Sequence, residues 1–274
     1  MVDWIPAGPA LLFAPADRPD RFVKAADRAD MVILDLEDGC RPENRAQARR
    51  AVADCALDPA RVIVRVNPAS TPDIVADLEA VAASRFRQVM LAKTEGASDV
   101  AAVRVMVPDA QVIALAETPL GVLRAEETAA ADGVVAMFWG AEDLVAGLGG
   151  TSSRRADGRY RHFALHARSQ VQLAAAAHGC AALDSVYVDI SDLEGLRIET
   201  EDAAALGFAG TCCIHPSQVP VIRTAYQPSD EELDFARRLL KAAELDRGAF
   251  SFEGRMVDEP LFRQAQAIVS RVGS

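Results

Sequence analysis

Two carboxylates stand at the ends of consecutive apolar runs: Glu117 closes VIALAE (112–117) and Asp143 closes VVAMFWGAED (134–143). If these runs are neighbouring parallel strands, both acids emerge at one edge of the sheet. There they could hold a single hard cation such as Mg²⁺, with water in the remaining octahedral positions. Each could equally be a solvated loop acid or half of an ordinary salt bridge. Arg65 interrupts the β-branched run VIVRVNP (62–68), and a guanidinium buried in a strand needs an anionic partner. That partner is either a substrate carboxylate, gripped bidentately, or an internal acid among Asp35, Glu37 and Asp38.

Other candidates carry weaker signals. Asp17, Arg18 and Lys24 follow the first apolar run near the start of a helix, a setting that suits the phosphates of a nucleotide-like cofactor and equally suits solvated surface charge. His215, in CIHPSQ, could be a general base, a metal ligand or the cap of its own loop. His162, His166 and His178 lack metal-ligand spacing and read as helix-surface residues. Asp258, inside EGRMVDEP, reads as a helix cap.

Eight elements must position these groups. Short apolar runs at 10–15, 31–38, 62–68, 88–93, 112–117, 134–143, 185–190 and 210–216 each end in Gly, Pro or a polar residue and are followed by Ala-rich stretches with helical spacing. Continuous apolar strands alternating with helices are the pattern of a parallel sheet buried on both faces, here an α/β (β/α)8 TIM barrel. A doubly wound open sheet would carry a Gly-rich phosphate turn after the first strand, and this chain has APADRPDRF there. The sixth and seventh runs start 51 residues apart, and the extra segment, GGTSSRRADGRYRHF, falls on the catalytic face of such a barrel. Residues 1–225 are expected to form the barrel. Residues 226–274 are expected to form a C-terminal helical extension that completes it and reaches a neighbouring subunit, with Ser229 and Glu232 as a capping box.

The net charge of −11 and the lack of a basic stripe exclude a nucleic-acid partner. An anionic substrate would then need a local basic pocket. No run approaches a membrane span, and the first residues lack a signal-peptide pattern, so the chain reads as cytoplasmic. Five cysteines without CxxC spacing suggest neither a disulfide framework nor a zinc site.

Taken together, LFAPADRPDRF, VILDLEDG, VRVNP, ETPLGVLRAEETA, WGAEDLVAGLGG, GFAGTCCIHPSQVPVI and GRMVD resemble the citrate lyase β-subunit-like branch of the HpcH/HpaI aldolase family, in its stand-alone actinobacterial form. The resemblance covers essentially the whole chain. It implies a trimeric barrel with Mg²⁺ on Glu117 and Asp143, a substrate carboxylate on Arg65, and Asp258 reaching the active site of an adjacent subunit. It also implies CoA binding through Asp17, Arg18 and Lys24. Relatives often carry Lys in the helix after LEDG, where this chain has Arg45, another cation for a CoA phosphate.

The implied reaction is Mg²⁺-dependent cleavage of a short 3-hydroxyacyl-CoA of the malyl, citramalyl, citryl or 3-hydroxy-3-methylglutaryl type. The products are acetyl-CoA, or a related acyl-CoA, and an oxo acid. Such cleavage removes a hydroxyl proton, stabilises the carbonyl of the departing oxo acid and tolerates an enolate on the thioester. Alternatives on the same site are a malate-synthase-like condensing thioesterase and a citrate lyase β subunit acting on acyl-carrier-protein thioesters. A non-catalytic binding protein would have no need of Glu117, Asp143 and Arg65 together.

Overall fold

A computed structural model describes residues 4–244 and 248–272. Eight parallel strands close into a barrel: β1 (Ala10–Pro15), β2 (Met31–Asp35), β3 (Val62–Val66), β4 (Gln88–Leu91), β5 (Gln111–Ala116), β6 (Val134–Trp139), β7 (Ala181–Asp184) and β8 (Gly210–Cys213). Closure is made by β1 and β8, with Ala10 opposite Thr211. The interior is filled from every strand: Leu11, Ile33, Ile63, Met90, Ile113, Phe138, Leu183 and Cys212 form one buried cluster. This is the packed core of a β/α barrel rather than a pore, and the strands' C-terminal ends form the functional face.

Six strands fall within the expected runs, β5 begins one residue earlier, at Gln111, and the seventh requires a correction. The run SVYVDI (185–190) is not β7; the strand is the preceding AALD. Ala181–Leu183 pair with Ala136–Phe138, and the strand ends at Asp184, whose carboxylate is held by the Arg168 guanidinium, at 3.0 and 2.8 Å, and by Trp139 Nε1, at 2.7 Å. The alternating V-Y-V that follows leaves the barrel as a loop. Several runs also outlast their strands, so Glu37, Asn67 and Lys93 lie one or two residues beyond the ladder and Asp143 lies in the helix that follows β6.

Contacts divide the chain into two compact units, residues 1–222 and 223–274. The second contains a helix, Asp230–Ala243, and a hairpin of β9 (Phe250–Phe252) and β10 (Arg255–Val257), followed by the helix Glu259–Ser270. Ser229 and Glu232 form the reciprocal capping box. Ala236, Leu239, Val257 and Ala265 make this unit's own small core. Among the described residues, no helix is long and apolar enough to cross a membrane.

Candidate active site

Strand register assembles the site. Asp35 and Arg65 are direct partners on β2 and β3, so their side chains leave the sheet side by side. The Arg65 guanidinium grips Asp35 bidentately at 2.7 and 2.6 Å, reaches Glu37 Oε2 at 3.1 Å, and stacks 4.7 Å from the Phe13 ring centroid. The internal partner foreseen for Arg65 is therefore present, and the guanidinium still borders the cavity described below.

On the other side, Ala116 is opposite Trp139, so Glu117 leaves β5 beside Gly140. Asp143 follows in the first turn of the helix Ala141–Gly147. Glu117 is only 3% exposed. Burial, reinforced by the charge of Asp143 and offset by Lys93 and Arg65, pushes its pKa up to about 8. Gly140 makes room for it: a Cβ there would lie 2.7 Å from Glu117 Oε2.

Lys93 completes the cluster. Its ammonium lies 2.5 Å from Glu37 Oε1, 3.2 Å from Asp143 Oδ1, 3.5 Å from Asp38 Oδ2 and 3.9 Å from Glu117 Oε1. Its backbone N–H also donates to Glu117 Oε1, at 3.1 Å. Burial works against the ammonium, but Glu37 and Glu117 outweigh it and hold Lys93 above its ordinary pKa. Burial also raises Glu37, against the pull of Arg65 and Lys93.

Around this point Asp35, Glu37, Asp38, Glu117 and Asp143 face two cations, Arg65 and Lys93. This surplus of negative charge, with a buried Glu117 pushed toward its neutral form, fits a divalent cation between Glu117 and Asp143. Among the described residues no three His, Cys, Asp or Glu side chains converge as metal ligands. An ion here would complete its shell with water or substrate oxygens, as Mg²⁺ commonly does.

A cavity of about 860 Å³ opens over these groups. Asp35, Arg65, Glu117 and Asp143 border it, as do the apolar side chains of Leu115, Phe138, Val186 and Ile214, and Arg21, Lys24 and Arg28 also line it. Arg21 and Lys24 lie on the first helical segment, Pro19–Ala26, and Arg28 in the turn that follows it, and all three reach the same cavity. Of the four residues proposed for CoA, only Lys24 lines the cavity. Asp17 accepts a hydrogen bond from Asn44 Nδ2 (2.8 Å), Arg18 pairs with Asp20, and Arg45 is held by Asp73 at 2.6 Å.

His215 borders the cavity and also caps the turn Pro216–Gln218 by accepting from the Ser217 N–H. Asp258 belongs to the second unit. It stands at the N-cap of the helix Glu259–Ser270, but its carboxylate accepts no hydrogen bond from that helix.

The inserted segment after β6 is anchored by Arg154. Its guanidinium lies between the Tyr160 and Tyr187 rings, 3.9 and 4.5 Å from their centroids, and pairs with Glu199 at 2.7 Å. Ser153 ties the segment to the acid-bearing helix Ala141–Gly147 by donating to Glu142 at 2.6 Å.

Fold and site together define a β/α-barrel enzyme with a cluster of carboxylates at the C-terminal mouth of the barrel. The HpcH/HpaI aldolase/citrate lyase family model matches residues 10–216, from β1 to the turn after β8. The chain belongs to this family and is a carbon–carbon lyase.

A citrate lyase subunit beta-like protein of Mycobacterium tuberculosis is 54% identical over 267 residues, covering 97% of this chain and 96% of that relative. The mitochondrial citramalyl-CoA lyase of Rattus norvegicus is 32% identical, over 95% of this chain and 85% of its own. Among solved structures, the M. tuberculosis protein CitE in complex with magnesium, acetoacetate and coenzyme A superimposes with a TM-score of 0.92 at 54% identity. That match covers 98% of this chain and 99% of CitE.

Proposed function

We propose that this lyase cleaves a short 3-hydroxyacyl-CoA of the malyl, citramalyl, citryl or 3-hydroxy-3-methylglutaryl type to acetyl-CoA, or a related acyl-CoA, and an oxo acid, using Mg²⁺ held by Glu117 and Asp143. The observation that carries this reading is the convergence of Glu117 and Asp143 beside Arg65 at the mouth of one cavity. The similarity to a protein crystallised with magnesium, acetoacetate and coenzyme A supports it.

When bound, Mg²⁺ supplies a Lewis acid for the hydroxyl and carboxylate oxygens of the substrate. Arg65 orients the substrate carboxylate. A guanidinium has five N–H donors, and Asp35 and Glu37 leave some over while fixing its plane. Asp35 and Glu37 thus act on the substrate through Arg65. Leu115, Phe138 and Val186 give the thioester end an apolar wall that excludes bulk water while the enolate is protonated to the acyl-CoA.

Asp258, supplied by an adjacent copy in a homotrimer, exchanges the proton at the thioester α-carbon. Lys24, with Arg21 and Arg28 lining the same cavity, meets the CoA phosphates. Asp17 and Arg18 shape the turn before them, and Arg45 contributes only if released from Asp73. The compartment is the cytoplasm, in keeping with five cysteines that are all free.

The test is an assay of the purified chain with and without Mg²⁺ on the four ester types, with products identified by mass spectrometry. Mg²⁺-dependent release of acetyl-CoA and an oxo acid is expected. Free CoA among the products would instead indicate condensation with hydrolysis. Cleavage of carrier-protein thioesters but not of CoA esters would favour the subunit reading, which the name of the M. tuberculosis relative also suggests.

A further inference from the structure

We propose that Lys93 is the resident counter-cation of the metal site: it balances the Glu117 and Asp143 carboxylates in the metal-free protein and limits how tightly a divalent ion binds between them. This rests on the assignment of Glu117 and Asp143 as the Mg²⁺ ligands. Lys93 is one of only two non-glycine residues among those described with positive φ, at +49°. Such a backbone persists only where surrounding contacts determine it. Here it directs both the amide N–H and the ammonium of one residue at Glu117, and the ammonium at Asp143 as well.

The ammonium and an incoming ion compete for the same oxygens. Mg²⁺–oxygen distances are about 2.1 Å, and Nζ is 3.2 Å from Asp143 Oδ1. An ion sharing that oxygen could therefore lie no farther than about 5.3 Å from the ammonium. In a partly buried site, repulsion between one and two positive charges at that range is only partly screened.

Removing the Lys93 charge should strengthen divalent binding, because the ligands are positioned by other means. Glu117 keeps the backbone N–H of residue 93 and the space beside Gly140, and Asp143 is fixed by its helical turn. A merely structural lysine would give the opposite result, since its loss would weaken the fold and the metal site together.

The experiment is calorimetric titration of the full chain with Mg²⁺, together with thermal melts, for wild type, Lys93→Met and Asp143→Asn. Lys93→Met is expected to bind Mg²⁺ roughly tenfold more tightly, to melt lower than wild type without metal, and to recover the difference at saturating Mg²⁺. Unchanged or weaker binding by Lys93→Met, with Asp143→Asn losing binding, overturns the role of Lys93 and leaves the metal assignment standing. Wild-type affinity in Asp143→Asn would overturn the assignment itself, and the inference with it.

A second measurement does not depend on that variant folding. The chain has three lysines, Lys24, Lys93 and Lys241, so the Lys93 ammonium can be assigned in ¹⁵N spectra by elimination with Lys24→Arg and Lys241→Arg. Its signal is expected to shift on Mg²⁺ addition while that of Lys241 stays. An unmoved Lys93 signal in Mg²⁺-saturated protein would overturn the proposal.

Discussion

Replacing Gly140 with alanine tests whether the Glu117 position controls turnover. Gly140 has ordinary extended dihedrals, φ −122° and ψ 118°, so alanine meets no backbone strain there. By restricting the unfolded chain it would by itself stabilise by about 0.4–1 kcal/mol. The new methyl, however, would sit 2.7 Å from Glu117 Oε2 and 2.9 Å from Glu117 Cβ, where ordinary contact begins at 3.4 Å.

Glu117 is buried and held on its other side by the Lys93 N–H, so its carboxylate must move by about 0.7 Å to restore that contact. Overpacking of this kind costs about 1–3 kcal/mol. The net loss is then at most about 2.5 kcal/mol, a fall in Tm of some 10 °C or less for a chain of this size. A displacement approaching 1 Å at a catalytic group costs about 100-fold in rate. The expected variant is therefore folded at 25 °C but about 100-fold slower in Mg²⁺-dependent ester cleavage, with a higher Mg²⁺ requirement. Full turnover at the wild-type Mg²⁺ requirement would refute the link between the Gly140 gap, the Glu117 position and the chemistry.

Three further outcomes follow from groups around the barrel. Asp184→Asn should lower stability in urea unfolding by about 3 kcal/mol, because Arg168 is almost wholly buried and loses its bidentate partner; a loss below about 1 kcal/mol would contradict that pairing. The Cys40 thiol is pushed up to about 11, first by burial and then by Asp17 and Asp35, from an ordinary 9.0. The unfolded thiol therefore ionises first, and its contribution to stability is lost as pH rises from about 9 to about 11. Urea midpoints should fall less steeply over that window in Cys40→Ala than in wild type. Arg154→Ala should remove the anchor between Tyr160 and Tyr187 and accelerate chymotrypsin cleavage within 148–161 several-fold, while an unchanged digestion pattern would show the segment to be held by other contacts.

Most of the barrel was legible because a strand buried on both faces must be apolar throughout, and such runs stop where water returns. The seventh strand broke the rule from both sides. Its AALD is short, Ala-rich and continuous in composition with the helix before it, whereas VYVD just beyond alternates like a strand. The feature that marks its end, the Arg168–Asp184 pair, joins residues 16 apart and is invisible to a local pattern. Glu117, Asp143 and Arg65 stood out because a charge next to or inside an apolar run is costly unless used. Lys93 gave no such signal, since a lysine closing a strand is ordinarily a solvated end. Its meaning depends on four acids that follow other strands, Glu37, Asp38, Glu117 and Asp143, and on a backbone angle that periodicity does not report. Arg21 and Arg28 could have been found from their helical spacing to Lys24.

The β5–β6 pairing shows why the acid pair depends on more than its strand-end position. At its start Val112 is opposite Val134, but one residue later Ile113 is opposite Ala136, and the slip is kept to the end of the strands. Without it, Glu117 would emerge opposite Trp139, whose indole is fully buried and tied to Asp184. With it, Glu117 emerges opposite Gly140, the one neighbour without a Cβ to collide with the carboxylate. Bulges that re-aim a side chain are common next to active sites, and here the slip and the glycine are complementary. The slip would bring the carboxylate against any larger residue at 140, and the glycine would be of no use to Glu117 in an unslipped strand. Deleting Val135, the unpaired residue of the slip, would leave Ile113 opposite Ala136 and Glu117 opposite Gly140, so the acid pair should survive that deletion, and loss of Mg²⁺-dependent turnover in the folded variant would refute the argument from register.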